Sequence, residues 1–249
     1  MKLSYLSYFF TYETHIPDGI GFALFGPWHL LWLSVIFAIC VRYVWIYKKG
    51  DERKKRRMDG LTACSLGVWI VVRAIYIAVI HEAFLYELPF HLCSMAAVHC
   101  LTKWKWLGQV LYTICLPGTV LALLFPNWNF YPVIHFITLE GFLFHMGIVL
   151  YVAGKLASHE IRPDFAKLWQ VVLFLTAVVI PIYWFDKRYD VNYMFVNWPS
   201  AGSPLVWLAD RMGNPGYLIG YAALVFLCML LMDVGYLMVA GRRKQKLFF

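Results

Sequence analysis

Apolar positions in this chain come in long blocks separated by short polar segments, without the two-residue alternation of a half-buried strand or the narrow stripe of a surface helix. Windows approaching the 20 or so apolar residues that a helix needs to cross a bilayer core fall at 20–47, 61–85, 88–101, 107–125, 132–156, 168–185 and 217–240. They predict an all-α polytopic membrane protein with seven transmembrane helices. The third window is short: Pro89 near its start and the segment 102–106 after it leave little more than half a span, so it is expected to be tilted, broken or partly re-entrant.

The polar segments set an orientation. The run 48–57 (KKGDERKKRR), Lys103 with Lys105, the 155–167 connection and the tail 242–246 all fall on one side of a seven-span chain. By the positive-inside rule that side is cytoplasmic, which puts the N-terminus outside and the C-terminus in the cytoplasm. The opposite side holds residues 1–19, the 86–88 link, the 127–131 loop and the long 186–216 connection, with few lysines and many aromatics. Residues 1–19 read as an interfacial segment that is retained, because Lys2 is followed by a short aromatic stretch with no small-residue cleavage site. Residues 20–240 form one seven-helix domain, 186–216 a structured extracytoplasmic cap, and 241–249 a basic cytoplasmic tail.

Composition sharpens this picture. With 61% hydrophobic and 14% charged residues and a mean hydropathy of +0.64, the 249-residue chain carries more apolar surface than a soluble core of this length can bury. The formal charge of +8 suggests nucleic acid, but topology already explains where the basic residues cluster, so no nucleic-acid partner is expected. Six cysteines nearly all lie inside apolar windows with no C-x-x-C pair, which argues against disulfides and structural zinc; no metal or cofactor is expected.

Polar groups at membrane depth are costly and so point to function. In the stretch Glu87 to Cys100, Pro89 suits the first position of a helix and puts Cys93 about one turn inside its N-terminus, a location that favours a thiolate. Cys93, His91, His135, His81, Glu82 and His29 fall in the outer third of the bilayer, Glu140 and Arg73 near the midplane, and His145 below them. Arg73 and Glu140 read as a buried structural ion pair, with Asp233 as a rival partner. His135, Thr138 and His145 share an arc of roughly 80° on the fifth span, at 100° per residue, and can face one cavity. His91 points nearly opposite Cys93. The base is therefore expected from another helix, with His135 favoured by depth and His145 if the span starts later. A thiolate beside an imidazole can attack a lipid ester, form a thioester and pass the acyl chain on. Backbone N–H groups after Pro89 are positioned to hold the oxyanion.

The Leu88-Pro89-Phe90-His91-Leu92-Cys93 block, the Leu116–Pro126 run, the Pro132, His135-Phe136 and His145-x-Gly147 pattern and the Asn192-Tyr193-Met194 triplet together resemble the YwaF-type integral membrane proteins. The vertebrate relative of that family is an ether-phospholipid acyltransferase of the endoplasmic reticulum. The resemblance implies a seven-helix fold in a bacterial cytoplasmic membrane. It also implies cysteine-dependent, acyl-CoA-independent transfer of fatty acyl chains between phospholipids and lysophospholipids. Carried over by position, it puts the nucleophile on Cys93 with His145 as partner and His29, His91 and His135 around the site; Glu140, Asn192 and Tyr193 are further candidates for contact with the substrate. The alternatives are a lipid hydrolase at the same site and a carrier whose histidines line a path, though no repeated halves are seen. A retinal receptor is disfavoured because the last span has no lysine.

Overall fold

The computed structural model describes residues 3–80, 95–200 and 203–245. It is 77% helix, with no strand among the described residues. Helix α1 spans Pro27–Lys49, α2 Glu52–Ile80, α3 Met95–Thr102 and α4 Lys105–Val110. A π-helical turn over Leu111–Cys115 leads into α5, Leu116–Leu124; α6 is Phe136–Ala157, α7 Leu168–Tyr189, α8 Pro204–Met212 and α9 Tyr217–Gln245.

Among the described residues, six helical runs are long and apolar enough to cross a membrane: α1, α2, the Lys105–Leu124 run, α6, Phe165–Tyr189 and Tyr217–Val239. The chain is a multi-pass membrane protein. Of the predicted third span only the second half is described, as α3; its first half lies outside the described residues.

Helix ends depart from the apolar windows because capping, not polarity, sets them. The basic run 48–57 is not a loop: α1 ends at Lys49 and α2 starts at Glu52. Asp51 Oδ1 accepts the Lys54 amide at 2.7 Å, and Glu52 pairs with Lys55 at 2.9 Å. The fifth predicted span begins four residues later than its apolar window, because His135 caps α6. Between α4 and α5, Pro117 has no N–H for the Thr113 carbonyl, and the helix widens into the π turn just before it.

The chain divides into two compact units, Met1–Thr102 with Gly118–Glu160, and Lys103–Pro117 with Ile161–Phe249. In the first, α6 is the central helix. In its apolar window 61% of residues are buried, against 11% for α1, whose outer face is left for lipid. It packs against α1, α2 and α3. Gly141 admits the Trp128 ring so closely that a Cβ there would lie 2.7 Å from Cε2. At Gly21 a Cβ would lie 2.3 Å from the Asn129 carbonyl oxygen, so only glycine lets the segment before α1 run against the 128–131 loop, where the Phe22 amide donates to that same oxygen.

At the other end of this unit Lys155, counted with a basic connection in the sequence, lies fully buried in the last turn of α6. It donates to Asp59 of α2 and to Glu160 at 2.7 Å, while the Tyr47 hydroxyl donates to Asp59 at 2.9 Å. One turn earlier, His99 of α3 meets the Tyr151 hydroxyl at 2.9 Å.

In the second unit α4 packs on α7, the π turn on α9 and α8 on α9. Asp233, the rival partner for Arg73, instead accepts from Gln109 Nε2 at 3.2 and 3.3 Å, and Gln109 Oε1 accepts the Asp164 amide at 2.8 Å. The connection after α7 is built by its own polar side chains. Asn192 Oδ1 accepts from the amides of Asn197 and Trp198, both at 3.1 Å, and its Nδ2 donates to the Trp198 carbonyl at 3.0 Å. Asn214 ties this turn to the α8–α9 link, where the Asn214–Pro215 bond is cis.

Candidate active site

The histidines differ in what their ring nitrogens are already doing. His29, fully buried in the first turn of α1, accepts the Phe25 amide on Nδ1 at 2.9 Å and donates from Nε2 to the Leu123 carbonyl at 2.8 Å. That fixes its tautomer and fastens α1 to the end of α5. His135 is also fully buried. Its Nδ1 accepts the Ile137 amide at 3.1 Å, as an N-cap does, and its Nε2 donates to the Thr11 carbonyl at 3.1 Å while Tyr131 stacks on the ring at 4.2 Å. With both nitrogens engaged by backbone, His135 has no lone pair left for a thiol proton, contrary to the expectation from depth. Thr138, on the same arc, donates to the Pro132 carbonyl at 2.9 Å.

His145 is arranged differently. Its Nδ1 lies 2.6 Å from the Gly141 carbonyl one turn back on α6, an acceptor only, so Nδ1 carries the proton and Nε2 is the bare nitrogen. Among the described residues Nε2 meets no hydrogen-bond donor. The Trp128 indole stacks on the imidazole at 5.2 Å and Phe144 meets it edge-on at 5.8 Å, so the ring is held in place by aromatic packing and one backbone bond. This is the arrangement a general base needs: a fixed tautomer, an oriented ring and an open nitrogen.

Arg73 of α2 reaches Glu140 of α6, with Nη1 2.8 Å from Oε2 and the carboxylate nearly fully buried. Glu140 is thereby held by Arg73. Among the described residues two donors in this region are buried without a partner, the Arg73 Nε–H and the Trp128 Nε1–H. In the sequence Trp128 is only one of the many aromatics on the side of the 127–131 loop. The signal that could have found it is Gly141, four residues before His145, which leaves room for a ring on that face of α6.

Asn192 spends its amide on folding the turn after α7, and the Tyr193 ring lies against Phe185 at 6.0 Å. Cys93, His91, His81 and Glu82 lie outside the described residues. Among those described, no group of histidine, cysteine and carboxylate side chains is placed to hold a metal ion. No curated protein and no solved structure matches the chain. The TMEM164 family model matches residues 24–233, the greater part of the sequence, and the protein belongs to the TMEM164 family.

Proposed function

We propose that this protein is a phospholipid acyltransferase, a CoA-independent transacylase in which Cys93 is the nucleophile and His145 the general base. The observation that carries the reading is the state of His145: Nδ1–H anchored on Gly141, Nε2 open, the ring clamped by Trp128. His29 and His135 have both nitrogens committed to backbone and serve structure.

In the first half-reaction the Cys93 thiol gives its proton to His145 Nε2 and its sulfur attacks the carbonyl carbon of a phospholipid ester. The C–S bond forms as the carbonyl π pair moves onto oxygen. Collapse of this oxyanion breaks the ester C–O bond, and His145 returns the proton to the departing glycerol oxygen. A lysophospholipid leaves and a thioester remains. In the second half a lysophospholipid hydroxyl, deprotonated by the same nitrogen, attacks the thioester and releases the thiolate, which regains its proton.

The chain takes the YwaF-type arrangement of seven spans, α3 completing the third, with the N-terminus outside, the C-terminus in the cytoplasm and a bacterial cytoplasmic membrane as its location. The test is intact-protein mass spectrometry of wild type, Cys93→Ala and His145→Gln in detergent with an acyl-labelled phospholipid and a lysophospholipid. A hydroxylamine-sensitive acyl adduct on wild type alone, and a rate about 10²–10⁴-fold lower in His145→Gln, are expected. Wild-type turnover in Cys93→Ala would remove the reading. Release of free fatty acid in place of acyl transfer would make the enzyme a hydrolase at the same site.

A further inference from the structure

Two hydrogen-bond donors near the proposed base have no partner among the described residues. The Trp128 indole N–H is buried and partnerless, in a ring stacked on His145 whose Cε2–Cζ2 edge, next to Nε1, lies over Gly141. The Arg73 Nε–H is buried and partnerless too, although the same guanidinium spends Nη1 on Glu140, the residue before Gly141. Burying an N–H without an acceptor is unfavourable, and protein interiors avoid it. Here two such groups, from a loop and from α2, flank the stretch of α6 between Glu140 and His145. Neither group can accept a hydrogen bond, so what they call for is an oxygen with lone pairs and negative charge. Glu140 does not supply it for Nε, since its contact with Arg73 runs through Nη1.

We propose that the Trp128 indole N–H and the Arg73 Nε–H form the oxyanion hole for the ester carbonyl of the acyl donor, an inference that rests on the transacylase reading. As the thiolate adds to the carbonyl carbon, the charge that develops on oxygen is met by one neutral and one cationic donor already stripped of water. This is the condition under which such donors act most strongly. Stacking of the indole on the imidazole gives Trp128 a second use, because an aromatic face stabilises the ring when it holds the thiol proton. Gly141 is the positioning residue for both: its carbonyl sets the His145 tautomer and its missing side chain admits the indole.

The test uses Trp128→Phe, which keeps an aromatic ring over His145 and removes only the N–H, and Arg73→Lys, which keeps a cation for Glu140 and removes the Nε–H. Both are assayed as full-length protein in detergent for kcat, KM and the rate of thioester formation, with elution as a single folded species on size exclusion required of each. The expected result is a fall in kcat of about 10²–10³-fold in Trp128→Phe with KM within about twofold, and a comparable fall in Arg73→Lys. Wild-type kcat in Trp128→Phe overturns the proposal. A rise in KM with kcat unchanged also overturns it, since the donors would then be holding a lipid phosphate in the ground state. Absence of a thioester on the wild type is a separate result: it removes Cys93 as nucleophile, and with it the oxyanion these donors are assigned.

Discussion

Replacing Lys155 with methionine keeps the length and apolar bulk of the side chain and deletes one charge from the most enclosed ion-pair cluster in the first unit. Asp59 is 2% exposed and is left with a single donor, the Tyr47 hydroxyl at 2.9 Å, which also approaches Glu160 at 3.5 Å. Two carboxylates would then share one hydroxyl. Removing one partner of a buried pair costs about 3–5 kcal/mol, chiefly because the other charge is stranded. The Glu160 side chain, 37% exposed, keeps its water and adds little, in the range of about 0–1 kcal/mol. Asp59→Asn should cost less than Lys155→Met, because the lysine keeps Glu160 and lies near the face of the Tyr151 ring, at 5.7 Å. The double variant should cost less than the sum of the two singles by about 2–3 kcal/mol, the coupling between them. Unfolding in mixed detergent, followed by fluorescence of the eleven tryptophans, measures all four proteins. A cost below about 1 kcal/mol for Lys155→Met, or simple additivity in the double variant, would refute the view that a stranded Asp59 sets the penalty.

His29→Ala removes two buried hydrogen bonds and leaves the Leu123 carbonyl without its side-chain donor; a loss of about 1–3 kcal/mol in the same assay is expected, with the turnover of the folded fraction unchanged. Gly141→Ala pushes a methyl to 2.7 Å from the Trp128 ring, so the indole must leave its stack on His145; about 1–3 kcal/mol of overpacking is expected, and the shift should appear as changed tryptophan emission together with lost transacylation. Asn192→Ala unties three hydrogen bonds of the turn after α7, and limited proteolysis should then cut between residues 190 and 200 several-fold faster than in wild type.

Six of the seven predicted spans were legible because crossing a bilayer imposes a length and a composition that the chain displays directly. What was not legible is pairing over long sequence separation. Lys155 looks like one more basic residue at a helix end until Asp59, 96 positions away, is found against it. His135 and His145 share a helix face by their spacing, and nothing in that spacing distinguishes a helix cap from a ring with one open nitrogen. The distinction arises because α6 starts at Phe136, which spends one nitrogen of His135 on the Ile137 amide, and because Thr11, far back in the chain, takes the other. Trp128 belongs to a loop whose aromatics resemble any interfacial belt, and only the space over Gly141 shows where its ring goes.

The start of α6 is closed from outside the helix by main-chain atoms of the N-terminal segment: the Phe136 amide donates to the Phe9 carbonyl, and the Thr11 carbonyl holds His135. Carbonyl oxygens are common to every residue type, so this contact constrains where the chain runs and leaves the identities of residues 9 and 11 largely free. The family match begins at residue 24 and leaves this segment out. Lying outside the match is a poor guide to dispensability: a protein shortened past Thr11 keeps the whole matched region and still loses the seal on its central helix.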